Sequence, residues 1–325
     1  MIDFFYHGGE MTITQMKYVL AVDEYRHFKR ASIACHISQP TLSMQIQKLE
    51  DSLGIIIFDR SKSPTLRTRE GEIFIKQARV VVNEYRKIDA LLKEGNQKLS
   101  GEFKLAVIPT LAPFLIPLFA SKFNSKYPKV KLIIEERKTE EIIDLLASDL
   151  IDAGLLVTPL KNDKIIERTL YFEPFSIYTS AETIYFKKKK IRESSLSMDN
   201  IWLLNKGNCF RDQVLNLCQY KEKKDSENAN LVFQSGSLET LKNMVDLSGG
   251  YTILPQMMLN KLSIKDKKKV REFEEPCPIR EVSLVHSRIF LKEKIIDALE
   301  KEILQKIPPE LQTFKKKSHE LVDVF

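Results

Sequence analysis

Two cysteines, Cys209 and Cys218, bracket the stretch CFRDQVLNLC. A thiolate is a nucleophile, and an oxidant can join two thiols, so the pair raises redox chemistry. Arg211 and Asp212 follow the first thiol within three residues. Arg211 and the N-terminus of a following helix would lower the Cys209 pKa, and Asp212 with nearby hydroxyls would hold a small polar oxidant. Spacing sets a constraint. On a helix, nine residues hold the two thiols ~13 Å apart, whereas a disulfide needs Cα atoms within ~7 Å. Either the stretch is not helical, or joining the thiols forces it to refold. Two inert thiols would look the same by spacing alone. A metal site fits poorly, because there is no C-x-x-C and no nearby His, and none is predicted.

The chain around the pair has 325 residues, enough for two or more domains. No apolar run reaches the ~18 residues of a membrane-spanning helix, and no secretory signal opens the chain. A cytoplasmic location without membrane contact is therefore expected, with reduced cysteines, so that any disulfide would be transient and redox-sensing. Basic residues exceed acidic ones by seven, which is compatible with a polyanionic partner. The lysine runs Lys187–Lys190 and Lys265–Lys269 read as solvated faces. Residues 1–10 fit no element, and Met11 is the expected native start. Cys35 reads as core packing, and Cys277, between two prolines, has no partner in any motif.

From 11 to 70 the pattern is short helices. Met16, Val19, Leu20 and Ala21 recur at helical spacing, followed by Phe28, Ala31, Ile33 (or Ala34) and Ile37. In SQPTLSMQIQKLEDSLG, Ser38 is placed to cap a helix with Pro40 in its first turn. Leu42, Ile46, Leu49 and Leu53 make one apolar face. Thr41, Ser43, Gln45 and Lys48 make the polar one, suited to base edges and phosphates. IIIFDRSKSPTLRT reads as a two-stranded wing, with Lys62 and Arg67 near phosphates. The segment holds nine basic and six acidic residues, a modest excess.

The run FKRASIACHISQPTLSMQIQKLEDSLGIIIFDR resembles the winged helix-turn-helix of LysR-type transcriptional regulators. S-Q-P-T-L-S, L-E-x-x-L-G and F-x-R stand in the family's order. The resemblance implies double-stranded DNA as a partner, contacted by Gln39, Thr41, Ser43 and Gln45, with Lys62 and Arg67 on the wing.

Residues 71–99 carry Phe74, Ala78, Val81, Tyr85, Ile88 and Leu92 at heptad steps, which predicts a linker helix that dimerises. The helix is expected to break at Gly95 and Ser100-Gly101. Beyond it, alternating strands and helices predict α/β units through 100–308: strands in FKLAVIPT, KLIIEERKT and AGLLVT, with helices between. A second lobe is expected over about 171–276, with strands in YFEPFSIYTS, IWLLN and YTILP and a helix capped by Ser237. The chain should then return through REVSLVHSR to a last helix, Lys292 to Gln305. Residues 309–325 read as a loose polar tail.

Two α/β lobes joined by crossing strands resemble the periplasmic-binding-protein-like effector domain of LysR-type regulators, which implies a small-molecule site between lobes. L-L-x-x-G-x-C-F-R-D-Q-x-L-x-L-C, then S-L-E-T-L-K-N-M-V and L-P, looks like the hydrogen-peroxide-sensing members of that family. With this the resemblance spans Met11 to about Gln305. It implies Cys209 as the peroxide-reacting thiol and Cys218 as the resolving one, joined in a reversible disulfide. It implies that Thr110, Thr139 and Asp212 position peroxide and that Arg280 activates the thiol. Asn208 departs from the pattern, which usually has His there, and an amide carries no proton at neutral pH. A homodimer or homotetramer, RNA polymerase as a partner and glutaredoxin or thioredoxin as reductant follow by the same resemblance. No cofactor and no enzymatic turnover are expected. The alternative is a LysR-type regulator sensing a small metabolite, with incidental cysteines.

Overall fold

A computed structural model describes residues 11–93, 99–198, 200–218, 236–287 and 292–322. Residues 1–10, on which the expected start rests, and Gly95, the expected helix end, lie outside these. The chain divides into two compact units, 1–97 and 98–325.

In the first unit, α1 (Ile13–Tyr25) opens with a capping box between Thr12 and Gln15, and α2 (Phe28–Ala34) follows. The third helix, α3 (Gln39–Leu53), starts at Ser38, whose hydroxyl accepts from the Thr41 N–H at 3.2 Å. It stops at Gly54, where φ is +66° and a side chain would be strained. Leu42, Ile46 and Leu49 recur at steps of four and three, so they share a stripe and are buried with Val19, Val22, Ala31, Ile57 and Phe58. Two expected core positions are exposed instead. Ile33 lies two residues past Ala31, on the far side of a seven-residue helix, and Leu53 ends α3 beyond its packing partners. The wing is an antiparallel pair, β1 (Phe58–Asp59) and β2 (Leu66–Arg67).

The long helix α4 (Arg69–Lys93) splits the expected heptad stripe. Ala78 and Val82 are buried against Met16 of α1, with Phe74 and Val81 beside them. Tyr85 and Ile88 are exposed. The N-terminal half of the stripe thus serves its own unit, while the side chain of Leu92, the last expected position, lies outside the described residues.

The second unit begins with parallel strands. Strand β3 (Gly101–Val107) pairs with β4 (Val130–Glu136) on one side and β5 (Ala153–Thr158) on the other. Helices α5 (Ala112–Lys126) and α6 (Thr139–Ala147) connect them. The fifteen-residue strand β6 (Ile165–Thr179) starts earlier than the sequence pattern implied and serves both lobes. Its first part pairs with β10 (Cys277–Ser287), which also pairs with β5. Its last five residues pair with β8 (Tyr251–Pro255) in the second lobe. That lobe adds β7 (Lys190–Ile191), β9 (Val270–Phe273), α7 (Cys209–Leu217), α8 (Leu238–Ser248) and the one-turn helices α9 (Gln256–Leu259) and α10 (Ile264–Lys267). Ser237 caps α8 as expected. The expected IWLLN strand is reduced to one bridge, Ile201 to Tyr251. The chain approaches the sheet only where Gly250 admits it: a Cβ there would lie 2.3 Å from the Asn200 carbonyl oxygen.

After α11 (Glu293–Leu304) the expected loose tail proves wrong for the described residues. A strand, β11 (His319–Leu321), adds in parallel to β10, and Val322 is buried in the main core. Apolar Leu321 and Val322 at the end of a polar stretch are what that site takes up; the lysines before them hid the signal.

Candidate functional site

The stretch between the two thiols is helical. Phe210, Val214 and Leu217 are buried on one side of α7, and Asp212 and Asn216 are exposed on the other. Asn208 is its N-cap, its side-chain oxygen accepting from the Phe210 N–H at 3.1 Å. Cys209 is the first helical residue. Cys218 is the C-cap, its N–H donating to the Val214 carbonyl at 3.1 Å. Both thiols are free. They stand at opposite ends of a helix whose rise separates them by ~13 Å.

The cation beside Cys209 is Arg280, not Arg211. Arg211 turns away and donates to the Leu204 carbonyl at 2.8 Å. Arg280, from β10, is fully buried. Its Nε donates to Glu173 Oε2 at 2.8 Å and its guanidinium to Thr110 Oγ1 at 3.2 Å. The guanidinium also lies over the Phe210 ring, 5.2 Å from the centroid, a favourable cation–π contact at a buried position. Glu173 accepts from the Met257 N–H as well. Residues from β6, β10, α7 and the turn after β3 therefore meet at Arg280. Neither threonine caps a helix with its hydroxyl: Leu111 and Lys138 are the N-caps of α5 and α6. Thr110 accepts from Arg280 instead. Thr139 Oγ1 is buried and makes no hydrogen bond of full geometry, yet it faces the Cys209 thiol closely enough to favour the thiolate.

Burial outweighs these influences on Cys209. Loss of hydration pushes its pKa up, Thr139, Arg280 and the Phe210 N–H pull it down, Asp212 opposes them, and the net shift is upward. The shift is thus opposite to the expected lowering, because the half-buried Cys209 loses hydration at its thiol and Arg211, two residues on, points elsewhere. Burial likewise pushes Cys218 up to about 11, partly offset by a hydrogen bond with Tyr251. Asp212 is exposed, and its carboxyl is raised by partial desolvation, lowered by Arg211 and raised again by Glu140.

Sequence reasoning missed two groups. Glu173 is a lone carboxylate in an otherwise apolar run, which is the signal a buried partner for a cation leaves. Gln213 lies one turn after Cys209 on the buried side of α7. Its Nε2 donates to the Val322 carbonyl at 3.1 Å, and its Oε1 has no partner among the described residues. Cys35 ends α2 against the core of the first unit, and Cys277 starts β10 half-buried.

In the first unit Gln39 and Thr41 are exposed at the start of α3, and Ser43 and Gln45 are partly so. Ser43 accepts from Arg60 at 3.1 Å. Arg60 also donates to buried Glu50 at 2.7 Å, and Glu50 receives the N–H groups of Ile57 and Phe58. Arg60, the last residue of F-x-R, thus fixes the wing to α3, a role not read from the sequence. Lys62 is exposed in the wing turn. Arg67 faces inward and pairs with buried Asp23, as does Arg79.

Among the described residues no helix is long and apolar enough to cross a membrane, and no cluster of three or more His, Cys, Asp or Glu could hold a metal. The family model described as "LysR substrate binding domain" matches residues 96–299, and "Bacterial regulatory helix-turn-helix protein, lysR family" matches 13–72. The chain is 32% identical over 276 residues to the "Hydrogen peroxide-inducible genes activator" of Dickeya chrysanthemi, covering 85% of this chain and 89% of that one. It is 30% identical to the "DNA-binding transcriptional dual regulator OxyR" of Escherichia coli K12, with the same coverage. A full-length OxyR variant from Pseudomonas aeruginosa superposes with a TM-score of 0.77 at 31% identity, over 92% of this chain and 99% of that one.

Proposed function

Because the chain belongs to the LysR family of bacterial regulators, with a DNA-binding helix-turn-helix at its N-terminus, we propose that it is a hydrogen-peroxide sensor switched by a reversible Cys209–Cys218 disulfide. One observation carries the reading. A free thiol that feels both the Thr139 hydroxyl and the Arg280 charge opens a short helix, and a second free thiol ends the same helix. The names of the relatives at 30–32% identity support it.

The resting Cys209 is a protonated thiol, so the first step is loss of its proton, with Arg280 and the Thr139 hydroxyl stabilising the thiolate. The thiolate attacks one peroxide oxygen, the O–O bond breaks, and hydroxide leaves with the released proton as water. Cys209 is then a sulfenic acid. The Cys218 sulfur attacks Cys209, the S–O bond breaks, and a second water leaves. Thr110 holds Arg280 in place, and Asp212 at the exposed edge meets peroxide on its way in. Asn208 caps the helix that must yield. Two electrons from glutaredoxin or thioredoxin reverse the bond. Within a homotetramer, unwinding of α7 would change subunit packing, and with it the contacts of Gln39, Thr41, Ser43, Gln45 and Lys62 with DNA and the engagement of RNA polymerase.

Peptide mass spectrometry tests the reading. The reduced protein receives about one equivalent of hydrogen peroxide, is blocked at free thiols and digested. A Cys209–Cys218 disulfide is expected, with Cys35 and Cys277 left free. If both thiols survive, the sensing reading is lost, and a metabolite bound between the lobes becomes the signal to look for.

A further inference from the structure

The helix between the thiols is held by the far end of the chain. Gln213 is fully buried midway along α7, and its amide donates to the backbone carbonyl of Val322 at 3.1 Å. Val322 directly follows β11. That strand pairs with the first residues of β10, placing Cys277 beside His319, Pro278 beside Glu320 and Ile279 beside Leu321. The Cys277 N–H donates to the Ser318 carbonyl at 2.7 Å, and the Val322 N–H donates to the Ile279 carbonyl at 2.9 Å. The next residue of β10 is Arg280. The C-terminal segment is thus bonded on one side to the strand that supplies the buried cation, and on the other to the helix that keeps the thiols apart.

We propose that this C-terminal strand is a redox-responsive clasp on α7, docked while the thiols are free and released when Cys209 and Cys218 join. The role given to the disulfide rests on the reading above; the geometry of the clasp does not. Bringing the Cα atoms from ~13 Å to within ~7 Å requires the turns of α7 to unwind. Gln213 sits in those turns and moves with them. Its amide then leaves the Val322 carbonyl, and a buried carbonyl without a donor is unfavourable. Three paired residues and one buried valine make a short attachment, of the kind that opens locally while the rest of a sheet stays closed. Linkage gives the converse. A segment that binds only the reduced form favours it, so the segment biases the thiol–disulfide equilibrium by the same factor by which oxidation weakens docking.

Hydrogen exchange on the full chain tests this directly. Diamide, which takes the two thiol hydrogens without peroxide, is used to form the disulfide, and peptide mapping quantifies it. Exchange in the C-terminal peptide from Lys315 onward should quicken tenfold or more, while β5 stays protected. Unchanged exchange in the disulfide form overturns the clasp. A chain ending at Lys317, with its fold checked by circular dichroism, should form the disulfide at least threefold more readily in a glutathione redox buffer. An equilibrium equal to that of the full chain overturns the clasp equally. Thiols joined by diamide but not by peroxide would remove the sensing reading and leave the clasp standing. Thiols that no oxidant joins would overturn both.

Discussion

Arg280 and Glu173 are direct cross-strand partners between β10 and β6, and they form an ion pair at 2.6 Å with both side chains withdrawn from solvent. Such a pair is costly to desolvate, and its weight shows when one partner is lost. Glu173→Ala leaves a buried guanidinium uncompensated and should cost about 3–5 kcal/mol in urea unfolding. Glu173→Leu with Arg280→Met should restore most of that stability while abolishing any thiol activation by Arg280. A Glu173→Ala chain as stable as the parent would mean that water or another acid serves the arginine.

Burial holds Cys209, Cys218 and Cys277 above the ordinary thiol range, the last two at about 11. Thiols in the unfolded chain ionise near ~8.5. Between about 8.5 and 11 the folded protein therefore binds more protons than the unfolded one. Stability from these groups is full below ~8.5 and is lost as pH rises through that window. Urea midpoints at pH 7.5 and 9.5 should fall for the parent and fall less for Cys218→Ser. The same ionisation sets reactivity, so peroxide consumption at Cys209 should quicken as pH rises from 7 to 9.

Asn208 spends its side-chain oxygen on the cap of α7. Asn208→Ala should weaken that helix by about 0.5–2 kcal/mol. The reduced form alone contains the intact helix under the proposed mechanism, so the variant should favour the disulfide in a redox buffer. A shift toward the dithiol would show that Asn208 serves the oxidised form instead.

Two basic residues of the wing should behave differently. Lys62→Ala should weaken DNA binding about equally for all sequences and lower the log–log salt slope by about one. Arg67→Ala should instead lower the melting temperature of the N-terminal unit, because it removes a partner of buried Asp23. If the two variants show the same salt slope, Arg67 reaches phosphate as well.

The helices of the first unit were legible because their information is local: an apolar stripe, a capping serine and a terminal glycine lie within one short run. The LysR motifs added the winged architecture by resemblance. What stayed hidden is non-local. Arg211 stands two residues from Cys209 in sequence and turns to the Leu204 carbonyl, while Arg280 arrives on a distant strand. The upward shift of the thiol follows from burial, which no spacing encodes. The polar tail concealed a strand because parallel pairing with the first residues of β10, ahead of where β5 begins, needs only three residues. The long-helix stripe was read correctly as apolar, but whether its first half meets α1 or another chain depends on where α1 lies.

Asp23 receives Arg67 from the wing and Arg79 from the long helix, and sits on α1 itself. A single carboxylate thus joins three parts that the chain makes separately. Arg67 and Arg79 come from either side of the corner where the wing becomes α4, and Arg26, just past α1, reaches the same carboxylate at 3.9 Å. Loss of the Asp23 carboxylate should therefore loosen the wing, α1 and the start of α4 together rather than any one of them alone.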